Sequence, residues 1–572
     1  MQPRSNKPES RAENPPPASF WRSPTLWLAL AGSLLLWASF PPLDLWPLAW
    51  LAPLPWLWLV LLPTLPGRRP YLAIGLAGFV FWLAMLFGIS LAHPALIAGW
   101  IALSWYLAFY LPVFVGLTRV AVHRLGVSIV VAAPVVWVGL ELVRGHLLTG
   151  FSMGLLSHTQ VRFPLLLQIA DLGGAYAVSF VMLLVTAALA RTFPLPLGGN
   201  PRLPSTLWPA LAAAAVLLAT LGYGAYRLAE TPPGAARKPL RVALIQGSLD
   251  TKFEYNPERA AQAFEHYGRL TDQARRENER LDLVVWPESM FVLPEYRIEE
   301  PLAAPAGSNI PVQAMRSHLT ALNSEFGNAL AREAARVNTL ADGSRQATPV
   351  HLLVNVNTWV YGPGDRERSY NTALLANPQG EVVGRYSKVH PVMFGEYIPL
   401  AEAFPWLYRL TPMTGGLTVG TGPETFDVAG LALSPSICFE SVVPHLIRRQ
   451  VIELNQAGTP PDFLVNLTND GWFWGTAMLD HHFRCSVFRA VENRKPMLIA
   501  ANTGISGWID GNGRILSRGP RRDTAILIAQ VRPDGRESPY HWIGDWPAWL
   551  CVAFSLALAA VGWKTRRNNR AR

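Results

Sequence analysis

The chain has 572 residues, 50% of them hydrophobic and only 15% charged, well under the quarter that soluble domains carry. That balance excludes a wholly soluble protein, and the length leaves room for more than one domain. The net charge of +10 does not point to nucleic acid, because the cations stand in short stretches beside apolar segments and in the final KTRRNNRAR, where membrane orientation accounts for them.

In chain order, residues 1–22 are Pro-rich and polar and read as a disordered tail with no signal peptidase site expected after the first span. Apolar runs of membrane-spanning length follow near 24–40, 44–64, 71–92, 95–118, 127–143, 164–190 and 206–223, with one more near 546–563. Eight spans are expected. Pro47, Pro53 and Pro55 interrupt the second run and the polar ELVRGH ends the fifth, so either of these is a candidate for a tilted, short or re-entrant segment. The organisation read from this is a seven-helix transmembrane domain over 23–227, an extramembrane domain over 228–540, and a last helix with a basic tail over 541–572.

Orientation follows from the retention of Lys and Arg in short cytoplasmic loops. With the N-terminus inside, the inner segments hold Arg4, Lys7, Arg11, Arg22, Arg68, Arg69, Arg119, Arg124, Arg191, Arg202 and the C-terminal cluster, whereas the short outer loops hold only Arg144 and Arg162. Both termini are then cytoplasmic. The long segment faces the other side, which in a bacterial inner membrane is the periplasm.

That segment alternates strand-like and helix-like stretches. Strands are expected at 241–249, 281–287, 351–360, 372–388 with a turn at Pro378-Gln379-Gly380, 431–438, 462–470 and 496–516, and helices at 257–278, 317–338, 444–456 and around Cys485. Short apolar strands alternating with amphipathic helices imply an α/β domain with buried sheets and helices packed outside.

Three residues at the ends of strand-like runs carry chemistry: Glu288 in LVVWPES, Lys388 in GRYSKVHPVMFGEYIP and Cys438 in LALSPSICFES. A thiol nucleophile, a carboxylate to take its proton and an ammonium to face a developing oxyanion are the parts of a thioester-forming hydrolase or transferase. Lys388 would share the oxyanion with the backbone N–H of the residue after Cys438. Of the other cysteines, Cys551 lies in the last apolar run and Cys485 in a helical segment, and both read as small buried residues. His481-His482 after Asp480 has no second ligand cluster at metal spacing, so Asp480 is expected to cap a helix. The sequon at Asn466 lies inside an apolar strand and is expected to stay unmodified.

Glu288, Lys388 and Cys438, in that order and context, resemble the nitrilase superfamily, whose fold is an αββα sandwich with a Glu-Lys-Cys triad. Together with the apolar spans, DLGGAYAVSF at 171–180 and NDGWFWGTAMLDHHF at 469–483, the chain resembles its membrane-embedded branch, the apolipoprotein N-acyltransferase family. The resemblance implies a ping-pong acyl transfer without metal or cofactor. Cys438 takes the sn-1 acyl chain of a phospholipid, typically phosphatidylethanolamine, as a thioester. The α-amine of an S-diacylglyceryl cysteine at an apolipoprotein N-terminus then accepts it. A monomer in the bacterial inner membrane is expected.

The resemblance further implies supporting roles for Glu396, matched to a position beside the triad, for Glu440 close to the nucleophile, and for Asn371. Phe439 departs from the family pattern, in which a Tyr commonly follows the nucleophile; the ring is kept and the hydroxyl lost. Met393, Phe394, Trp406, Trp472 and Trp474 lie in aromatic stretches within or soon after the motif loops and are candidates for a membrane-facing lid or acyl-chain groove. A membrane-tethered amidase of nitrilase type, with water as acceptor, is the alternative reading, and a transporter carrying a silent nitrilase-like domain is a further one.

Overall fold

A computed structural model describes residues 20–195, 207–250, 256–304, 310–339, 348–363, 367–401, 403–410 and 415–570. Most of the N-terminal tail expected to be disordered therefore lies outside the described residues.

Each of the eight apolar runs is helical. Five helices among the described residues are long and apolar enough to cross a membrane, at Leu96–Leu125, Ile129–Thr149, Ala170–Thr192, Trp208–Ala236 and Trp546–Lys564. Three are shorter: Pro24–Ala38, Trp46–Leu61 and Pro70–Met85. The second run divides because prolines mark new helix starts. A 3-10 turn Trp46–Trp50 and the helix Leu54–Leu61 each carry Pro in the first turn, where the missing N–H has no partner to lose. The helix Ala170–Thr192 breaks its regular dihedrals at Gly173 and Gly174. Gly174 has φ of +65°, and a Cβ there would come within 2.8 Å of the Tyr540 hydroxyl oxygen, so both space and backbone require glycine.

The second domain holds thirteen strands among the described residues: β1 Leu240–Gln246, β2 Leu283–Val285, β3 Glu295–Ile298, β4 His351–Tyr361, β5 Arg368–Ala376, β6 Val382–Ser387, β7 Phe426–Val428, β8 Leu431–Ile437, β9 Phe463–Thr468, β10 Met497–Ala501, β11 Gly507–Ile509, β12 Ile515–Arg518 and β13 Ala525–Val531. One sheet has the order β13-β1-β2-β4-β5-β6, with β3 beside β4; the other runs β12-β11-β10-β9-β8-β7. Each has a parallel centre, β1-β2-β4 in the first and β8-β9-β10 in the second. Parallel strands covered on both faces read as continuous apolar runs. β3, β7 and β13 lie outside the expected strands, and the helix expected at 317–338 begins earlier, at Val312.

Alternation along each strand divides the core into layers. Leu240, Val242 and Leu244 of β1 face Leu433, Val465 and Leu498 of the other sheet. Ala243 and Ile245 turn the opposite way, onto Tyr267 and Ala274 of the helix Pro257–Glu277 and Phe326 and Leu330 of the helix Val312–Asn338. The outer face of the second sheet, through Leu464, Met497 and Ile499, joins the helices Pro444–Gln456 and Met478–Asn493 and the transmembrane helices in one continuous apolar core. The result is an αββα sandwich, one helix layer of which is pressed against the membrane domain.

The helix Met478–Asn493 is buried along its entire length. Asp480 does not cap it; the helix starts after Ala477 without a side-chain cap, and Asp480 pairs with Arg518 at 2.5 Å and with Arg521. A carboxylate within reach of two guanidinium groups gains more from them than from backbone N–H groups. Just beyond the helix, fully buried Arg494 reaches Asp171 Oδ2 at 2.9 Å, Gln168 Oε1 at 2.7 Å and Gly511 O at 3.2 Å, tying the helix Ala170–Thr192 to the sandwich. Replacing Arg494 with Leu leaves these acceptors without their shared donor, and thermal unfolding in detergent is expected to register a loss of about 3 kcal/mol or more.

Candidate active site at the sheet ends

Glu288 follows β2, Lys388 follows β6 and Cys438 follows β8, so three separate strand ends deliver the three groups to one place. Lys388 Nζ lies 3.6 Å from Glu288 Oε1, and both side chains are buried. Glu288, Lys388, Asp470 and Glu396 all act electrostatically on the Cys438 thiol. Cys438 is half-buried and has φ of +53°, a left-handed conformation uncommon outside glycine. It makes the sharp corner between β8 and the 3-10 turn Cys438–Val442.

The carboxylate of Glu288 is held from two sides. Asn371 Nδ2 donates to Oε1 at 2.7 Å and the Asn469 backbone N–H donates to Oε2 at 3.0 Å. Asn371 is oriented in turn by Asn355 Nδ2 at 2.5 Å, while Asn355 Oδ1 accepts the Ser289 N–H at 2.9 Å. Asn371 also anchors the lysine, its carbonyl accepting the Lys388 N–H at 2.8 Å. Glu396 lies on the far side of Lys388, accepting from Nζ at 2.7 Å through Oε1 and from the Val392 N–H at 2.7 Å through Oε2.

These contacts set the charge states. Burial raises the Glu288 carboxyl above its ordinary range, with Lys388 opposing the rise and Glu396 adding to it. Burial alone would lower the Lys388 ammonium, but Glu396 and then Glu288 outweigh it and hold Lys388 above its usual value. Burial pushes the Cys438 thiol well up, Glu288 pushes it further, and Lys388 pulls it back. Such surroundings favour the thiol over the thiolate, and attack by sulfur from here calls for a base beside it.

Glu440 fastens the corner. Its Oε2 accepts the Ile437 N–H at 2.7 Å and the Tyr386 hydroxyl at 2.8 Å, and its Oε1 accepts the Val389 and His390 N–H groups at 2.7 and 3.1 Å. One carboxylate thus joins the strand before Cys438 to the loop after Lys388. Phe439 stacks with His390, ring centroids 6.3 Å apart, and meets Phe151 of the membrane domain at 6.4 Å.

The aromatic candidates separate. Phe394 and Trp406 are 59% and 55% exposed, Met393 and Trp472 are half-buried, and Trp474 carries the Arg522 guanidinium 5.0 Å over its ring. The turn Asp470–Phe473 packs against the short membrane-domain helix Ile89–Ala92. Asn355, Asn469, Tyr386, Asp470 and His482 complete the surroundings; Tyr386 lies in the GRYSKVHPVMFGEYIP stretch and Asn469, Asp470 and His482 in NDGWFWGTAMLDHHF, but sequence alone assigned none of them a role at this site. Cys485 is buried, its Sγ 3.2 Å from the His481 carbonyl in its own helix, away from this cluster.

Sequence profiles divide the chain the same way. The profile described as the N-terminal domain of apolipoprotein N-acyltransferase matches residues 32–188 and that of carbon-nitrogen hydrolase matches 241–540. An apolipoprotein N-acyltransferase of Rhodopirellula baltica is 35% identical, covering 95% of this chain and 99% of that protein. The chain belongs to the apolipoprotein N-acyltransferase family. Another apolipoprotein N-acyltransferase, from Geobacter metallireducens, is 33% identical over 94% of this chain and 95% of its own length. An amidase from Nesterenkonia sp. AN1 aligns in structure with 54% of this chain and 98% of its own, at 16% identity and a TM-score of 0.33. This chain is thus an integral membrane acyltransferase with a carbon-nitrogen hydrolase domain.

Four donors, the Tyr386 hydroxyl and three backbone N–H groups, converge on the one carboxylate of Glu440, so Glu440→Gln turns an amide N–H₂ onto donors that a carboxylate now accepts. The expected loss is about 2 to 3 kcal/mol of stability, together with slowed Cys438 alkylation. Tyr386→Phe, which removes a single donor, is expected to cost about 1 kcal/mol. Chemical denaturation and iodoacetamide labelling read the two effects.

Proposed function

We propose that Cys438 is the nucleophile, Glu288 the general base and Lys388 an oxyanion donor in transfer of the sn-1 acyl chain of a phospholipid to the α-amine of S-diacylglyceryl cysteine on apolipoproteins. Glu288 takes the thiol proton as sulfur attacks the ester carbonyl, and returns it to the departing lysophospholipid oxygen. The thioester then meets the amine, Glu288 accepts a proton from the attacking nitrogen, and collapse gives the amide and the free thiol. Lys388 and the Phe439 N–H face the oxyanion in both halves. Glu396 and Asn371 orient Lys388 and Glu288, and Glu440 holds the corner at Cys438. Phosphatidylethanolamine is the proposed donor, and the protein is proposed to act as a monomer.

The observation that carries this reading is the Cys438 thiol in the field of a buried Glu288–Lys388 pair 3.6 Å apart, with the neighbouring Phe439 ring against Phe151 of the membrane domain. Catalysis on bilayer lipid requires such a neighbourhood. The distribution of Lys and Arg favours a periplasmic catalytic domain over 228–540, both termini in the cytoplasm, and membrane segments over 23–227 and 541–572. Phe394 and Trp406, exposed and apolar, are proposed with Met393, Trp472 and Trp474 as the surface that meets the bilayer.

Intact mass spectrometry after incubation with phosphatidylethanolamine is expected to find a long-chain acyl adduct, absent in Cys438→Ala, that moves to the amine of an added diacylglyceryl peptide. An adduct lost to water without peptide acylation would replace transfer with amidase-type hydrolysis. The base must be ionised to act, so single-turnover acylation is expected to fall as pH drops through the raised pKa of Glu288, at a pH above the ordinary value of about 4.3. Glu288→Gln is expected to abolish that limb and slow acylation by roughly 10²–10⁴-fold. Trp406→Ala with Trp474→Ala is expected to reduce turnover on vesicle lipid while sparing a water-soluble ester.

A further inference from the structure

His482 and Asp470 lie on the carbonyl side of Cys438. Asp470 Oδ1 is 2.9 Å from His482 Nδ1, and the Cys438 carbonyl oxygen is 3.1 Å from His482 Nε2. Both ring nitrogens thus point at oxygens that can only accept, since one belongs to a carboxylate and the other to a backbone carbonyl. The imidazolium donates to both at once, whereas a neutral ring protonated at Nδ1 keeps the bond to Asp470 and turns the Nε2 lone pair to the Ser441 hydroxyl. Ser441 Oγ completes the set, 3.0 Å from Nε2 and donating to the same carbonyl at 3.3 Å. Asn466 Nδ2 adds a third donor to that oxygen at 3.2 Å.

The Cys438 carbonyl and the Phe439 N–H are two ends of one planar trans peptide, and they point in opposite directions. Whatever grips the carbonyl from behind aims the N–H forward. A cation bonded to the carbonyl oxygen also polarises the amide and strengthens its N–H as a donor. The left-handed φ of Cys438 fixes which way this peptide faces.

We propose that the Asp470–His482 pair, with His482 as an imidazolium, is a positioning device that sets and polarises the Phe439 N–H for the acyl oxyanion. The surroundings fit this protonation: burial alone would lower the His482 pKa, but Asp470, then the Cys438 carbonyl and Glu288, reverse the effect and raise it. His482 touches neither donor nor acceptor substrate in this scheme and acts through the peptide alone. The inference rests on the proposed role of Cys438 and deepens it.

The test uses the full chain with phosphatidylethanolamine carrying ¹³C at the sn-1 carbonyl. Three quantities are measured: the single-turnover rate of thioester formation, the infrared stretch of the labelled acyl-enzyme carbonyl, and alkylation of Cys438 by iodoacetamide, which develops no oxyanion. His482→Ala is expected to slow acylation by about 10- to 100-fold, below the roughly 10²–10³ for outright loss of an oxyanion donor. It is also expected to move the carbonyl band up toward that of a free thioester while leaving alkylation unchanged. His482→Gln, which keeps one neutral donor, is expected to fall between the alanine variant and the parent in rate and band position, and it serves where His482→Ala does not fold. An unmoved band with an unchanged acylation rate overturns the proposal. So does a parallel fall of acylation and alkylation with the band in place, which is the signature of a merely structural residue. Absence of any Cys438-dependent adduct in the unsubstituted protein overturns the assignment of Cys438 and this inference with it.

Discussion

The helix Met478–Asn493 has no solvent face, and much of the molecule follows from that. One side must satisfy the outer surface of the second sheet and the other must satisfy the transmembrane helices. A helix so placed has to pair every charge it carries, because an unpaired ion in that layer would cost several kcal/mol. Arg489 pairs with Glu492 at 2.7 Å, Glu492 accepts the Ala175 N–H at 2.9 Å, and Arg484 donates to the His158 carbonyl at 3.1 Å. Each contact either stays within the layer or reaches into the membrane domain. The sandwich and the helix bundle are therefore joined by a shared core with specific polar contacts across it.

This layer also sets the corner that carries Cys438, the proposed nucleophile. His482 belongs to the buried helix, and its ring reaches the carbonyl of Cys438; Phe439 leaves the same corner toward Phe151. On the opposite side, Glu440 binds the corner to the loop after Lys388, and Asn371 binds that loop to Glu288. The proposed reactive groups come from three strand ends, but they are held by one connected set of hydrogen bonds. Membrane helices, buried helix and the corner at Cys438 are consequently joined by one continuous set of contacts.

Burial at this site acts on each group differently. A thiol and a carboxyl without cations would both lose their charge in such a place. The ammonium of Lys388 keeps its charge because Glu396 and Glu288 flank it, and it then limits the rise at Glu288 and at Cys438. Glu396 thus carries out an electrostatic task beyond orientation, since with one carboxylate fewer the lysine would hold its proton less firmly.

The parts of the protein visible in sequence were those with local or repetitive signatures. Apolar runs marked the helices, continuous apolar strands marked β1, β8 and β9, and three short motifs held Glu288, Lys388 and Cys438. β3 and β7 escaped because strands of 4 and 3 residues carry too little periodicity, and Asp480 was misread as a cap because its partners Arg518 and Arg521 lie far along the chain. Tyr386 and His482 stand inside motif stretches whose spacing assigns them no partner, and only the packing of β6 and the buried helix brings them to the corner, as that of β4 brings Asn355 to Asn371. Composition and motif order decide which segments enter the membrane and which side chains can react, since both depend on what each segment is. Which polar groups orient the reactive ones depends on what each segment meets, so only the tertiary structure decided it.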